Sequence, residues 1–210
     1  MSPELQPVMM TLLKVVDVDA YLANQRVLEK DVNINVSSVS AKVLSKLAVS
    51  MRTDFAVMVP KVMPIAFDKL KEKKAVLRNE LVELCDAAAT TTSIENYTEA
   101  VCGGLTKPNP QSRAQTALFV ARLLSRHDSS TIPANAVKEI TPDLVKCSSD
   151  ADAEVRESTF RAMGAVLRCV GEQAARRLFG EVSEDKLKMA KVGLCCFELK
   201  KFTFACLQLF

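Results

Sequence analysis

Four short polar stretches recur along the chain at intervals of roughly 35–45 residues, and an apolar stretch of helical period stands on each side of every one. They are the segments 30–33, 71–74, 107–110 and 149–152. A repeat of this length is typical of chains that stack pairs of helices. Because the turn inside each pair leaves such a stack on the same side, we expect the four turns to form one edge and to carry the function.

The composition favours helices with an aliphatic core. Of the 210 residues, 49% are apolar and 25% are charged, which is the ordinary balance of a globular domain with a sizeable core. Only 6 glycines argue against a turn-rich β fold, and the absence of tryptophan requires a core built mainly from aliphatic side chains. We therefore predict an all-α fold, a HEAT-repeat α-solenoid with about five stacked antiparallel helix pairs.

Two helices are predicted around the first polar stretch. The first covers 18–29, and the second runs from a cap at Asp31 or Asn33 to about Met51. Apolar residues at helical spacing predict the buried face of the second helix, which would consist of Val36, Val39, Val43, Leu44 and Leu47.

A third helix is predicted over 54–70. Pro60 and Pro64 each remove a backbone donor from it and should therefore kink it. A fourth helix is expected to start near Ala75 and to turn inward the residues Leu77, Leu81, Leu84 and Ala88.

The second half of the chain continues the same pattern. Asn109 and Pro110 form a typical helix start, and Gly171 and Gly180 are suitable helix stops. Helices are predicted over 93–105, from 110, from 133 to about 147, from about 153, over 172–179 and over 183–191.

The sequence contains no constellation that predicts catalysis or metal binding. It lacks glycine-rich phosphate-binding motifs, and its only histidine, His127, stands at a helix end where a structural role is ordinary. Cys195 and Cys196 are adjacent, without the C-x-x-C spacing that a tetrahedral zinc site favours. We therefore predict that the chain is not an enzyme and uses no cofactor and no metal ion.

Charge and hydropathy also limit the classes of partner. The net charge of +3 is too small to indicate a nucleic-acid-binding protein, and no apolar run reaches the roughly 18–20 residues needed to cross a bilayer. An odd number of cysteines without paired spacing predicts reduced thiols in the cytosol. We expect a cytoplasmic, monomeric domain whose partner is a protein, with no nucleic acid and no membrane.

Basic residues recur at equivalent places in the repeats. The run Lys69–Lys74, taken alone, is typical of a solvated helix end near the negative pole of the helix dipole. Corresponding positions in other repeats are also basic, namely Lys30, Lys107, Arg113 and Arg156. One exposed charge contributes little to binding, but a row of them on a narrow edge predicts a docking surface for an acidic partner.

Several segments of the chain resemble a TOG domain. The similarity is greatest to the second TOG domain of the microtubule-polymerase family that includes chTOG and Minispindles, and it covers about residues 18–191. It divides the chain into a divergent N-terminal segment 1–17, a TOG-like HEAT-repeat domain 18–191 and a divergent apolar tail 192–210. The segments that carry the resemblance are 69–74, 88–92, 107–110, 116–122, 129–133 and 154–164.

The resemblance implies a paddle of HEAT repeats whose turns bind the αβ-tubulin heterodimer and deliver it to microtubule plus ends. It also implies a role in microtubule growth and spindle organisation, with localisation on the cytoskeleton, at spindle poles, at the centrosome and at kinetochores. The tubulin-binding residues that it implies are Lys30, Asp31, Asn33, Lys71, Lys73, Lys74, Lys107, Asn109, Arg113 and Arg156.

The first repeat of that family supplies a tryptophan that inserts against β-tubulin, and this sequence contains none. The segment Met1–Val16 does not resemble that repeat. Because buried aromatic anchors are typical hot spots, we expect weaker tubulin binding than in a domain that has the tryptophan. The alternative hypothesis is a generic HEAT-repeat scaffold that binds another protein partner.

Overall fold

The computed structural model describes residues 19–180 and 182–193, which contain helices and turns and no strand. The chain forms two compact units, of which the first covers Met1–Ser93 and the second Ile94–Phe210. The predicted segment 1–17 lies outside the described residues, and so does the predicted tail apart from residues 192 and 193. The predicted boundaries of the domain therefore stay predictions.

The first unit contains four α-helices and a 3₁₀ helix within its described part. The helix α1 occupies residues 19–30, and a three-residue turn connects it to α2. The helices α2 and α3 both pack against α4. The remaining elements are α2 (Ile34–Met51), the 3₁₀ helix Arg52–Met58, α3 (Val59–Lys69) and α4 (Ala75–Ala88).

The predicted buried face of α2 is wrong at most of its positions. Val36 and Val39 are 40% and 62% exposed, whereas Leu44 is fully buried. Small side chains form most of the buried face because they let α2 approach α4 closely, and Ser37 Oγ also donates a hydrogen bond to the Asp31 carbonyl at 3.2 Å. The buried residues of this helix are Ser37, Ser38, Ser40, Ala41, Leu44 and Ala48.

The prediction of one kinked helix over 54–70 is also wrong. The 3₁₀ helix ends at Met58, and Pro60 lies in the first turn of α3, where its missing N–H group has no helical partner to lose. Pro64 lies inside α3. Phe55 of the 3₁₀ helix packs edge-on against Tyr21 of α1, with ring centroids 6.0 Å apart. Pro60 therefore marks a helix start instead of a kink.

The second unit begins with the 3₁₀ helix Ile94–Tyr97, so the single helix predicted over 93–105 is in fact two elements. The helix α6 packs along α8, while α5 packs against both α6 and α7. The α-helices of this unit are α5 (Thr98–Leu105), α6 (Pro110–Leu124), α7 (Ala134–Cys147), α8 (Ala153–Val170), α9 (Glu172–Phe179) and α10 (184–193).

Local sequence signals set the ends of these helices as predicted. Asn109 caps α6 with its side-chain oxygen, and Pro110 is the first residue of that helix. Gly171 and Gly180 have φ values of +81° and +62°, which residues with a Cβ rarely adopt, and they end α8 and α9. The chain therefore turns at each of the glycines that the sequence identified as helix stops.

The difference in exposure between Leu44 and Val39 of α2 predicts different losses in the free energy of unfolding when each is replaced by alanine. Leu44→Ala should reduce the free energy of unfolding by about 2–5 kcal/mol, because it leaves a cavity in the packed interior. Val39→Ala should change it by less than about 0.5 kcal/mol, because Val39 faces solvent. Urea unfolding of both variants measures the difference. Equal losses would contradict the face described here and restore the one predicted from hydrophobic periodicity.

Candidate functional site

The first turn (30–33) is built by two side chains that bind their own backbone. Asp31 Oδ1 accepts a hydrogen bond from the Asn33 amide at 2.7 Å, and Asn33 Oδ1 accepts one from the Asn35 amide at 3.0 Å. The second interaction caps α2. Lys30 is exposed, and it is both the last residue of α1 and the first residue of this turn. Two of the predicted site residues, Asp31 and Asn33, therefore shape the turn that would make the contact.

The tip of the first turn is an apolar residue that is not among the predicted site residues. Val32 stands between Asp31 and Asn33 and is 95% exposed. No other large apolar side chain among the described residues is as exposed. The signal in the sequence was a valine between two turn-forming residues, where a polar residue is usual.

The second turn (71–74) carries the densest positive charge of the first unit. Lys71, Lys73 and Lys74 are exposed, and Lys71 pairs with Asp68 at 3.1 Å. Lys69 Nζ donates a hydrogen bond to the Asp31 carbonyl at 3.2 Å, so the second turn lies beside the first. The first unit thus brings together the predicted site residues of both of its turns.

The start of α4 breaks the capping rule that the other three turns obey. Asn33, Asn109 and Asp152 cap their helices with a side-chain oxygen. Lys74 occupies the same position before α4, and its side chain makes no capping hydrogen bond. A cation at the positive end of a helix dipole is also unfavourable. Local departures of this kind are expected where a residue serves binding instead of stability.

After the third and fourth turns, the fourth residue of the following helix is an arginine whose side chain reaches back to the turn itself. Arg113 Nη1 donates to the carbonyls of Lys107 and Pro108 at 2.7 and 2.8 Å. Arg156 Nη1 donates to the carbonyls of Asp150 and Ala151 at 2.7 and 2.9 Å. Both arginines therefore hold turn backbone in place, six and five residues before themselves.

The equivalent position in α4 belongs to Arg78, which is not among the predicted site residues. It is the fourth residue of its helix, as Arg113 and Arg156 are, and it is partly exposed. Counting four residues onward from the last turn residue would have identified it. The regular placement makes Arg78 a further candidate contact beside the lysines of the second turn.

The third turn (107–110) and the fourth turn (149–152) are joined by an ion pair. Arg113 Nε and Nη2 donate to Asp150 Oδ2 and Oδ1 at 2.8 and 3.0 Å, and the two side chains are only 18% and 13% exposed. The Arg113 guanidinium lowers the pKa of the Asp150 carboxyl from its ordinary value. The second unit thus brings the predicted residues Lys107, Asn109 and Arg156 close to one another.

The predicted site residues differ in how far their side chains are available to a partner. Lys107 is half-buried, and the Asn109 side-chain oxygen accepts bonds from the amides of Gln111 and Ser112 at 2.9 and 3.3 Å. The guanidinium groups of Arg113 and Arg156 are engaged within the second unit, whereas the lysines of the second turn are exposed. That all four turns share one edge stays a prediction.

Other kinds of site find no support in the part of the chain that the structure describes. It contains no group of three or more His, Cys, Asp or Glu side chains placed to hold a metal ion, and none of its helices is long and apolar enough to cross a membrane. Cys147 is a buried free thiol, and burial raises its pKa to about 11. Cys195 and Cys196, which we did not expect to bind zinc, lie outside the described residues.

Comparisons with known proteins agree with these features. Residues 20–190 match the sequence model of the family described as "XMAP215/Dis1/CLASP, TOG domain". Zygote defective protein 9 of Caenorhabditis elegans is 43% identical over 168 residues, which are 80% of this chain and 12% of that protein. Protein mini spindles of Drosophila melanogaster is 33% identical over 173 residues, covering 82% and 8%. The chain therefore spans about an eighth or less of these relatives.

Solved structures share the fold. One, described as "Structural Basis of Microtubule Plus End Tracking by XMAP215, CLIP-170 and EB1", has a TM-score of 0.78 and 27% identity, covering 91% of this chain and 84% of that one. Another, described as a structural basis of tubulin recruitment by microtubule polymerases with TOG domain arrays, has a TM-score of 0.74 and 21% identity, covering 84% and 37%. The predicted all-α HEAT-repeat fold is confirmed, while similarity to a second TOG domain in particular stays a prediction.

The capping role of Asn109 is testable without any partner. Asn109→Ala should reduce the free energy of unfolding by about 1 kcal/mol, because two amides at the start of α6 lose their acceptor. Asn109→Ser should leave stability nearly unchanged, since serine caps helices about as well. Thermal and urea unfolding of the two variants provide the comparison. A serine variant as unstable as the alanine variant would show that capping is not what Asn109 contributes.

Proposed function

Because the chain belongs to the XMAP215/Dis1/CLASP family of TOG domains, we propose that it is a non-enzymatic module that binds the αβ-tubulin heterodimer through its repeat turns. Solved structures with the same fold are described as tubulin-recruiting and tubulin-binding TOG domains. The residues proposed to make the contact are those of the four turns, with the second turn as the principal basic element.

The observation that carries this proposal is the composition of the second turn. Lys71, Lys73 and Lys74 stand exposed in a turn where the other repeats place a capping residue. Lys74 gives α4 an uncapped start, so its presence is not explained by the stability of the helix. Tubulin is strongly acidic, and three cations on one turn would steer its approach and fix the register of the complex.

Val32 would add an apolar contact beside these charges. Its side chain is almost fully exposed, and Lys69 holds the first turn next to the second. Burial of one valine against a partner contributes about 1.5–3 kcal/mol at most, less than a large aromatic anchor. Since the chain has no tryptophan, we expect an affinity that depends more on charge, and hence more on salt, than in a domain with such an anchor.

The names of the relatives suggest where a protein with this domain would act. They include a spindle pole body component of Schizosaccharomyces pombe, a centrosomal protein of Dictyostelium discoideum and protein mini spindles. On this basis we extend the proposal to promotion of microtubule growth at plus ends and to spindle organisation. The corresponding locations are the cytoplasmic cytoskeleton, spindle poles and the centrosome. Kinetochores are added to the proposal on the resemblance seen in the sequence alone.

Charge reversal in the second turn should strongly weaken tubulin binding. The triple variant Lys71→Glu, Lys73→Glu, Lys74→Glu places three negative charges against an acidic partner, and we expect its affinity to fall by about ten-fold or more. Size-exclusion chromatography and sedimentation with purified unpolymerised tubulin, at low and high salt, measure the loss. Binding by the wild-type chain should itself weaken as salt is added, because the screening length is only about 10 Å at 0.1 M.

A matched control changes the net charge by the same amount at exposed lysines within helices: Lys46→Glu, Lys61→Glu and Lys138→Glu. This variant should keep most of the affinity of the wild type. If the wild-type chain does not co-migrate with tubulin at low salt, the proposal is wrong for this chain. The alternative of a scaffold for another protein would then be favoured. If both triple variants lose the same affinity, the second turn is not the contact.

Replacement of Lys74 by serine should raise the stability of the chain and lower its affinity for tubulin. Its backbone has the extended conformation of a capping residue, with φ −71° and ψ 119°. Lys74→Ser should therefore stabilise the chain by about 1 kcal/mol while it weakens tubulin binding. Urea unfolding and the binding assay above are run on the same preparation. A variant that gains stability without losing affinity would remove Lys74 from the proposed contact.

A further inference from the structure

We infer that Arg113 and Asp150 form a positioning pair that holds the third and fourth turns in one fixed arrangement for a shared partner. The inference rests on the proposed function and adds a role that the turn lysines do not have. Its unusual consequence is that Asp150, although acidic, would favour the binding of an acidic protein.

The pair is a two-point connection between the turns. Two separate nitrogens of Arg113 donate to the two carboxylate oxygens of Asp150, at 2.8 and 3.0 Å. Bidentate pairs of this kind fix direction as well as distance. Because both side chains are largely shielded from water, solvent screens the attraction less than it would at an open surface.

Each partner of the pair is also bound to the backbone of its own turn. Arg113 Nη1 donates to the carbonyls of Lys107 and Pro108 in the third turn. Asp150 Oδ1 accepts from the Asp152 amide at 3.0 Å in the fourth turn. The ion pair therefore connects two ordered backbone segments instead of two free side chains, and displacement of one turn would strain the other.

Two neighbouring contacts also connect segments around the third and fourth turns. Gln111 Nε2 donates to Glu154 Oε1 at 3.3 Å, and each residue stands two positions after its cap, Asn109 or Asp152. Lys186 of α10 donates to Ser149 Oγ in the fourth turn. These exposed contacts are weaker than the ion pair, but they join the same segments of the second unit.

Arg113 is poorly suited to contact tubulin directly, because its donors are already engaged within the chain. A guanidinium has five N–H donors, and here Nε, Nη1 and Nη2 together make four hydrogen bonds within the chain. With its side chain only 18% exposed, Arg113 has little left to offer a partner. A partner that touches both turns would instead benefit from finding them already ordered, since it need not order them on binding.

The variant Asp150→Asn distinguishes the effect of turn positioning on tubulin affinity from the effect of charge. The variant keeps an oxygen for the Asp152 amide but loses the ion pair, and it removes a negative charge near the proposed contact. On charge alone the variant should bind acidic tubulin more tightly. The positioning role predicts the opposite, with an affinity about ten-fold lower at a temperature well below unfolding. Glu99→Gln is the matched control, because it removes an exposed acid at the far end of α5 and should not weaken binding.

Arg113→Lys and hydrogen exchange complete the test. Lysine keeps the positive charge but cannot make the two-point connection, so Arg113→Lys should lose as much affinity as Asp150→Asn, and the double variant should lose no more than either. Amide exchange of the third turn should also become faster in Asp150→Asn, although the substitution lies in the fourth turn.

The outcomes separate the two proposals. If wild-type chain binds tubulin and Asp150→Asn binds as well or better, the positioning role is wrong and the proposed function stands. If the wild-type chain does not bind, the proposed function fails, and exchange alone then decides the inference. Unchanged exchange over residues 107–113 in Asp150→Asn would overturn it in either case.

Discussion

The need to satisfy the backbone N–H groups at helix starts is the constraint on which the four turns depend. The first amides of a helix have no partner within the helix, so a side chain beside them must accept their hydrogen bonds or water must do so. Asn33, Asn109 and Asp152 accept them in three turns. In doing so they set the direction in which each chain segment enters its helix. The second turn, where Lys74 leaves α4 uncapped, is the exception that points to function.

The basic residues of the turns divide into two kinds because of this geometry. Arginines at the fourth position of a helix reach back to turn carbonyls, as Arg113 and Arg156 do, and their guanidinium donors are engaged within the chain. Lysines such as Lys73 remain exposed and retain their full charge toward solvent. The rigid planar fork of arginine suits the first task and the flexible stem of lysine suits the second. A count of basic residues alone cannot distinguish the two kinds.

Much of the fold could be predicted because helix starts and stops are local. Asn109 followed by Pro110, and the glycines at 171 and 180, act within one turn of helix and need no information from elsewhere in the chain. The buried face of α2 could not be predicted in this way. Its serines and alanines carry little hydrophobic signal, and they are buried because α4 lies close to them. The exposed valines of α2 gave the stronger periodic pattern and misled the prediction.

The sequence by itself determined the all-α class, the repeat of helix pairs and the places where four turns interrupt them, because each rests on short-range periodicity and capping. It also determined which residues of the turns are basic. Only the tertiary structure decided that Val32 is exposed at a turn tip, and that Arg113 is joined to Asp150 instead of facing solvent. The reason is distance along the chain: these two residues are 37 positions apart, and packing of α6 along α8 is what brings them within hydrogen-bonding distance.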